Sequence, residues 1–308
     1  METLSVHILG CGSALPTTKH NPSAQALTLR GKVYLVDCGE GTQLQIRRQG
    51  LHFGRIHTIF ISHLHGDHFL GLMGFISSLS LQNRKGALHL YAEPRLKELL
   101  DFQNKLLPSR LNFPLIFHPL SQSRELIYED NAVEVYSFPL EHRADMPTCG
   151  FRINEKMRPR SVIKEMTDAW EVPLAFMQYL KQGADYVAPD GSLVPNARLT
   201  KDPPLPRSYG FMTDTLFRED FAEYVREVDL LYHEATYGSE CEELAHKTGH
   251  STAEEAARLA AAAGAGRLLL GHISARYPDP SALVAEARAI FPESFMCADG
   301  DKFEIPVD

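Results

Sequence analysis

Short apolar runs recur along the chain and predict β-strands. The runs SVHILG, AQALTL and KVYLVD open the sequence, and Gly, Pro or Asn residues that favour turns bound each of them. Further strands are predicted at ALHLYAE, LIFHPL, AVEVYSFPL and CGFRIN, and in the second half at YGFMTD, DLLYHEA and RLLLGHIS.

Segments with helical spacing of apolar residues lie between these runs. They are GTQLQIRRQ, FLGLMGFISSLSLQ, EPRLKELLDFQNKLL, STAEEAARLAAAAGAG and PSALVAEARAIF. This alternation predicts a layered α/β architecture. A weak echo between LVDCGEGTQLQ and MTDTLFREDF is compatible with two related halves.

Residues 152–207 interrupt the alternation. The segment has many Pro and Gly residues, short helical patterns and a basic cluster of Arg152, Lys156, Arg158, Arg160 and Lys164. It is either a long solvated insertion or a small substrate-binding subdomain. A structureless loop of this length is rare in a compact domain unless it is functional.

Composition narrows the function classes. The 308 residues, 44% of them hydrophobic and 23% charged, suit a folded protein of one large domain or two ordinary ones. A net charge of −8 gives no global attraction to nucleic acid, so RNA binding would need locally basic segments. Five scattered cysteines without C-x-x-C argue against a disulfide framework and against cysteine-built zinc sites. We see no signal peptide or membrane span and expect a cytoplasmic protein.

The stretch IFISHLHGDHFLG carries the most specific chemistry, with His63, His65, Asp67 and His68 directly after a strand. The first two histidines point to the same side of an extended segment, whereas Asp67 and His68 begin a helix and diverge. Two adjacent metals can share such a run more easily than one. Nitrogen and carboxylate ligands suit zinc, with manganese or iron as alternatives.

Two metals need more ligands, and three candidates stand at other strand ends. His142 follows AVEVYSFPLE, Asp214 ends YGFMTD and His272 ends RLLLGH. The motif H-x-H-x-D-H with these residues resembles the metallo-β-lactamase superfamily. That resemblance implies a four-layer αββα sandwich of α/β class whose halves flank a dinuclear metal site.

Two shorter motifs follow in the second half. HEAT, with Glu234, comes after DLLY, and HST, His250 to Thr252, precedes a helix. Thr252 and Glu255 fit a capping box, so Thr252 is the predicted N-cap. Helix N-termini attract phosphate, which places His250 beside a phosphate site where it could donate a proton.

These motifs and the insertion together resemble ribonuclease Z, the endonuclease family that trims the 3′ end of precursor tRNA. The resemblance implies one domain over residues 1–308 with an inserted arm, or exosite, at 152–207 that binds the tRNA. The basic residues of the arm would contact phosphates, and Ser251 and Thr252 would bind substrate at the helix start. A homodimer is also implied, in which one subunit's arm serves the other's active site.

The resemblance further implies roles for the site residues, with two zinc ions per subunit. One ion is assigned to His63, His65 and His142, the other to Asp67, His68 and His272, and Asp214 bridges them. The metals would supply an activated water, and Asp67 would orient or deprotonate it. His250, supported by Glu234, would protonate the departing oxygen, which leaves a 3′-hydroxyl on the tRNA and a 5′-phosphate on the trailer.

Two segments depart from the family pattern. The early loop P-x-K-x-R-N reads PTTKHN here, with Thr18 and His20 at the two basic positions, so the cleavage position relative to CCA stays open. VPLAFMQYLKQGADYV replaces a Gly-Pro-rich arm tip.

Two other interpretations remain. Another hydrolase of this superfamily, such as a small-molecule phosphodiesterase or a thioesterase, accounts for the metal ligands but leaves HST and the insertion unexplained. A non-catalytic RNA-binding protein with a degenerate site is disfavoured, because all seven ligand positions carry ligands.

Overall fold

The computed structural model describes residues 3–106 and 111–307, and these form two compact units. The first unit comprises residues 3–106, 111–154 and 207–306. The second unit is Glu155–Pro206 with residue 307. Leu107, the last residue of one predicted helix, lies outside the described part of the chain. Within that part, no helix is long and apolar enough to cross a membrane.

The strands are numbered in chain order. They are β1 (Leu4–Gly10), β2 (Ala24–Leu29), β3 (Lys32–Val36), β4 (Ile56–Phe60), β5 (Leu88–Ala92), β6 (Leu115–Pro119), β7 (Glu125–Glu129), β8 (Val133–Arg143), β9 (Met146–Glu155), β10 (Ser161–Val162), β11 (Tyr186–Val187), β12 (Leu193–Val194), β13 (Thr200–Lys201), β14 (Ser208–Met212), β15 (Leu230–Glu234), β16 (Leu268–Gly271), β17 (Ser294–Met296) and β18 (Lys302–Ile305).

The α-helices are numbered in the same way. They are α1 (Thr42–Arg48), α2 (Gly66–Phe69), α3 (Gly71–Leu81), α4 (Arg95–Leu106), α5 (Lys164–Ala169), α6 (Met177–Lys181), α7 (Asn196–Leu199), α8 (Glu242–Thr248), α9 (Ala253–Ala263) and α10 (Ser281–Ile290). Short 3₁₀ segments occupy Phe53–Arg55, Leu174–Phe176, Glu219–Val225 and Ser239–Cys241.

Two seven-stranded sheets form the centre of the first unit, as far as its residues are described. Their strand orders are β18-β1-β2-β3-β4-β5-β6 and β17-β16-β15-β14-β9-β8-β7. Strands β3 to β6 run parallel in the first sheet, and β14 to β17 run parallel in the second. The carboxyl ends of parallel strands share one edge of a sheet, which is where ligand sites form in α/β proteins.

The two sheets face each other across an apolar layer. Phe60 of the first sheet and Phe151 of the second have ring centroids 5.6 Å apart, and Phe211 stacks on Tyr232 at 5.1 Å. All four side chains are buried. Burial of large aromatic surfaces on both inner faces holds the sheets together.

Helices cover the outer faces of both sheets. Ile46 of α1, Phe75 of α3 and Leu96 of α4 belong to one buried cluster with the first sheet. Ala257 of α9 and Leu283 of α10 belong to another with the second sheet. The layers are therefore αββα, as predicted.

Helix α9 begins as its sequence predicts. Thr252 Oγ1 accepts a hydrogen bond from Glu255 N at 3.2 Å, and Glu255 Oε2 accepts one from Thr252 N at 2.9 Å. This reciprocal capping box confirms Thr252 as the N-cap.

The second unit has its own small core. Its buried members are Val172, Leu180, Tyr186, Ala188, Val194 and Leu199. Helices α5 to α7 and the two-stranded pairs β10–β13 and β11–β12 surround it. Arg152 and Arg207, the first basic residue and the last residue of the predicted insertion, belong to the first unit instead.

Candidate metal centre

Four side chains at strand ends form a first cluster of ligand atoms. His65 Nδ1 lies 3.1 Å from Nε2 of both His63 and His142. Asp214 Oδ2 lies 3.6 Å from His63 Nε2 and 3.9 Å from His142 Nε2. His63 and His65 come from the loop after β4, His142 from the end of β8 and Asp214 from the loop after β14. The predicted ligand set is thus brought together.

A second cluster lies on the other side of Asp214. Asp67 Oδ2 is 3.4 Å from His272 Nε2 and 3.6 Å from His68 Nε2. Asp214 Oδ1 is 3.2 Å from His272 Nε2 and 3.5 Å from His68 Nε2. Asp214 therefore presents one oxygen to each cluster, the placement expected of a bridging ligand.

The donor atoms fit divalent metal ions. His68 Nε2 is buried without a hydrogen-bond partner and faces the carboxylates of Asp67 and Asp214. Burial favours a neutral Asp214, but His272 and His68 outweigh it and hold its pKa well below the usual value, so it is anionic. Burial keeps the pKa of His63 well below its usual value, so its imidazole is neutral. Burial also lowers the pKa of His68, but Asp214, Asp67 and Asp37 outweigh it and raise that pKa, so a metal ion at His68 Nε2 would displace a proton. Neutral imidazoles and carboxylates are the ligands that zinc takes.

Hydrogen bonds from residues outside the two clusters orient three of the histidine rings. His142 Nδ1 lies 2.6 Å from Gly249 O, and His272 Nδ1 lies 2.9 Å from Thr236 Oγ1. A carbonyl oxygen can only accept, so His142 is protonated at Nδ1 and offers its Nε2 lone pair to the cluster. Such contacts select the tautomer and the ring orientation of metal-ligating histidines.

Asp37 orients the third histidine and was missed by the sequence analysis. Its Oδ2 lies 2.7 Å from His68 Nδ1, and its Oδ1 accepts a hydrogen bond from Ser62 N at 2.8 Å. The side chain is fully buried and also accepts from the Ser23 hydroxyl at 3.1 Å. The available signal was an aspartate directly after the apolar run KVYLV, the pattern that singled out Asp214.

Glu234 of the HEAT motif joins several segments from a fully buried position. Its Oε1 accepts hydrogen bonds from the N–H groups of Thr215 and Ser251 at 3.0 Å, and its Oε2 accepts from the Thr236 hydroxyl at 2.7 Å. His250 Nδ1 lies 3.0 Å from Oε1. Burial lowers the pKa of His250, but the Glu234 carboxylate outweighs it and raises that pKa to about 9.

An open cleft gives access to both clusters. A cavity of about 570 Å³ is lined by His65, Asp67, Asp214 and His250, and by a loop segment that spans residues 13–16. Ala14 of that loop has φ 56° and donates its N–H to Asp67 Oδ2 at 2.8 Å. The arrangement can bring a polar substrate against the metal ligands and His250 together.

Ser251 and Thr252, predicted to bind substrate, are directed inward. Ser251 Oγ donates to Thr215 O at 2.7 Å, and Thr252 Oγ1 is used in the helix cap. Both residues are buried. Their side chains stabilise the start of α9 and the Glu234 network rather than facing the cleft.

The predicted basic cluster is largely paired within the protein. Arg152, in β9, donates through Nη1 to Arg226 O at 2.8 Å. Arg158 pairs with Glu155 at 3.0 Å, and Arg160 with Asp202. Lys156 is half-buried, and Lys164 is exposed at the start of α5.

Comparison with solved structures first defines the class. The metallo-beta-lactamase fold protein YhfI from Bacillus subtilis matches with a TM-score of 0.69 at 18% identity, over 98% of this chain and 99% of that chain. The two sheets, their outer helices and this likeness establish the metallo-β-lactamase fold.

Closer relatives then define the family. Ribonuclease Z of Bacteroides fragilis (strain YCH46) is 44% identical over 300 residues, which cover 97% of this chain and 98% of the relative. The crystal structure of human tRNase Z, short form, matches with a TM-score of 0.72 at 28% identity, over 98% and 100% of the two chains. A family model described as Anti-Pycsar protein Apyc1 matches residues 4–162, just over half of the chain. The chain thus belongs to the ribonuclease Z family and also to the family of that model.

Proposed function

We propose that this protein is an endoribonuclease that removes the 3′ trailer from precursor tRNA. One observation carries the proposal: Asp214 presents an oxygen to each of two histidine clusters in a chain related to ribonuclease Z over nearly its whole length. A phosphodiester needs charge stabilisation on its non-bridging oxygens, which a pair of cations can supply.

Two zinc ions are proposed as the cofactor. The first would be held by His63, His65 and His142, the second by Asp67, His68 and His272, with Asp214 between them. When bound, the ions would acidify a water and neutralise charge on the phosphate.

Asp67 is proposed to orient or deprotonate the attacking water. Asp67 lines the cleft, and its Oδ2 accepts a hydrogen bond from the Ala14 N–H at 2.8 Å, which holds the carboxylate in one orientation. An oriented carboxylate is suited to accept a hydrogen bond or a proton from the nucleophile.

His250 is proposed to protonate the departing oxygen. Glu234 engages its Nδ1 at 3.0 Å, which leaves Nε2 for a partner in the cleft. Departure of the 3′-oxygen of the tRNA gives a 3′-hydroxyl on the tRNA and a 5′-phosphate on the trailer.

The second unit is proposed as the tRNA-binding arm. Its own apolar core supports a folded element rather than a solvated loop. Lys164 is exposed, whereas Arg158 and Arg160 would have to exchange carboxylate partners for phosphates. A cytoplasmic homodimer, with the arm of one subunit serving the active site of the other, completes the proposal.

The experiment is cleavage of a precursor tRNA by the zinc-loaded full chain, with the product ends sequenced. We expect one cut at the 3′ side of the tRNA body and loss of cleavage in Asp67→Ala. A small phosphodiester is assayed in parallel. Its hydrolysis without any cleavage of precursor tRNA would contradict the proposal.

An arm deletion tests the second unit separately. Asn154 of β9 and Ser208 of β14 are directly paired across the sheet, so a short turn can replace residues 155–206 without moving either strand. Arg207, which donates a hydrogen bond to Ile305 O within the first unit, is kept. We expect the shortened chain to retain hydrolysis of the small phosphodiester and to lose tRNA cleavage. Thermal unfolding of both chains controls for misfolding, and tRNA cleavage at the full rate would refute the arm's role.

A further inference from the structure

A group of three potential ligand atoms lies outside the dinuclear centre. Cys11 Sγ is 3.4 Å from His20 Nδ1 and 3.4 Å from Asp299 Oδ1, and His20 Nδ1 is 3.6 Å from Asp299 Oδ1. Cys11 directly follows β1, His20 lies in the PTTKHN loop, and Asp299 lies just before β18. Residues remote in sequence thus present sulfur, nitrogen and oxygen to a common point.

We propose that Cys11, His20 and Asp299 bind a third divalent cation of the zinc class. Zinc lies about 2.3 Å from thiolate sulfur and about 2.0 Å from imidazole nitrogen or carboxylate oxygen. Ligand atoms at the corners of such a tetrahedron are therefore separated by roughly 3.3–3.7 Å. The three distances in the protein form one face of that tetrahedron.

Burial and hydrogen bonding pre-organise this site. Cys11 is fully buried, whereas the side chain of His20 is 27% exposed, so solvent can reach the fourth position from the histidine side. Asp299 Oδ2 accepts hydrogen bonds from the backbone and side-chain nitrogens of Asn21 at 2.7 and 2.6 Å, which turn Oδ1 towards Cys11. A thiolate ligand excludes hard cations such as magnesium and selects zinc-like ones.

The site would clamp the loop beside the dinuclear centre. Cys11 and His20 flank the residues that line the cleft, and Gly12 N donates to Asn21 O at 3.0 Å across the base of the loop. Ala14, between them, donates to Asp67. A cation bound at both ends of the loop holds this donor in place, a structural role that is independent of the RNA substrate.

The experiment is titration of the metal-free full chain with Co²⁺. The dinuclear ligands offer only nitrogen and oxygen, so a thiolate-to-cobalt charge-transfer band in the near ultraviolet reports a cysteine ligand. We expect the band, three Co²⁺ per chain, and the loss of one Co²⁺ and of the band in Cys11→Ser. Cys241→Ser, at the partly exposed cysteine, is the matched control and should keep both.

A second variant tests the proposal independently in case Cys11→Ser misfolds. His20→Ala removes a partly exposed side chain, and we expect the Co²⁺ dissociation constant of the thiolate site to rise at least tenfold. His52→Ala, at an exposed histidine, should leave that constant unchanged. Absence of the band in the unaltered chain, or its persistence in Cys11→Ser, overturns the proposal without affecting the proposed RNA cleavage.

Discussion

Asp37 and His68 form a buried hydrogen bond of 2.7 Å, which directs His68 Nε2 towards Asp214 and Asp67. Asp37 is itself held in place, because its Oδ1 accepts a hydrogen bond from Ser62 N at 2.8 Å. The carboxylate and the imidazole lie 31 positions apart and meet only through the packing of β3 beside β4.

Asp37→Asn is expected to weaken metal binding and cleavage about 10- to 100-fold, because the neutral amide holds the His68 tautomer less strongly. Metal titration and initial rates on precursor tRNA check this. Asp101→Asn, at an exposed carboxylate on α4, is the control that should change neither. Full metal affinity in Asp37→Asn would show that Asp37 serves only packing.

In a Cys11→Ser background, which lacks the third proposed cation, Asp214→Ala is expected to reduce the metal content from two ions towards none, because one oxygen is lost from each cluster. His65→Ala removes a ligand from the first cluster only and should spare the ion near Asp67, His68 and His272. Elemental analysis of the purified variants gives the metal content. Retention of one ion in Asp214→Ala would argue against a bridging role.

Glu234→Gln is expected to slow cleavage of precursor tRNA about 10- to 100-fold. The substitution removes the negative charge that orients His250 and keeps it protonated. Single-turnover rates measure the effect. Glu255→Gln, at a nearby buried glutamate, is the control, since glutamine also completes a capping box. Equal rates in Glu234→Gln and Glu255→Gln would leave Glu234 without a role in catalysis.

The interactions of the Asp130 carboxylate predict that the free energy of unfolding falls in acid. Burial raises its pKa, but Lys32, the backbone N–H groups of Ala132 and Val133, and Tyr34 outweigh this and lower the pKa to about 2, from a usual value of 3.8. The folded state therefore favours the carboxylate. Its contribution is complete above the unfolded-state value and is lost as the pH falls through the folded-state value.

Asp130→Asn should accordingly cost about 1–2 kcal/mol near neutral pH, discounted for the partial exposure of Lys32. The difference from the unaltered chain should shrink below pH ~4 and vanish near pH ~2. Denaturant unfolding at several pH values measures it. A difference that stays constant across this range would mean that the ionisation of Asp130 contributes nothing.

Phe151→Ala is expected to lower the free energy of unfolding by about 3–5 kcal/mol, because it opens a cavity between the sheets. Phe102→Ala, at a side chain that is 59% exposed on α4, should change it by less than ~1 kcal/mol. Chemical denaturation of both variants makes the comparison. Similar losses would contradict the placement of Phe151 at the centre of the fold.

Local patterns predicted much of the site. The segment after β4 indicated a metal site because its four ligands are close together in sequence: His63, His65, Asp67 and His68. The N-cap Thr252 was predictable because a helix cap depends on residues within one helical turn. Asp37 escaped notice because a lone aspartate after a strand resembles many turn residues. The inward orientation of the Ser251 side chain could not be predicted from the sequence either, because its hydrogen-bond acceptor, Thr215 O, lies in a loop distant in sequence.

The amino-acid sequence by itself indicated most strands and helices of the first unit, the capping of α9 and the ligand types at the strand ends, because periodicity and capping act over a few residues. It gave no prediction for β7, β17, β18 and α8. Tertiary structure alone decided which oxygen of Asp214 faces which cluster, how Glu234 joins three segments, and that Cys11, His20 and Asp299 meet. Those relationships depend on how strands pair within each sheet and how the two sheets pack. Both join residues whose separation along the chain carries no local signal.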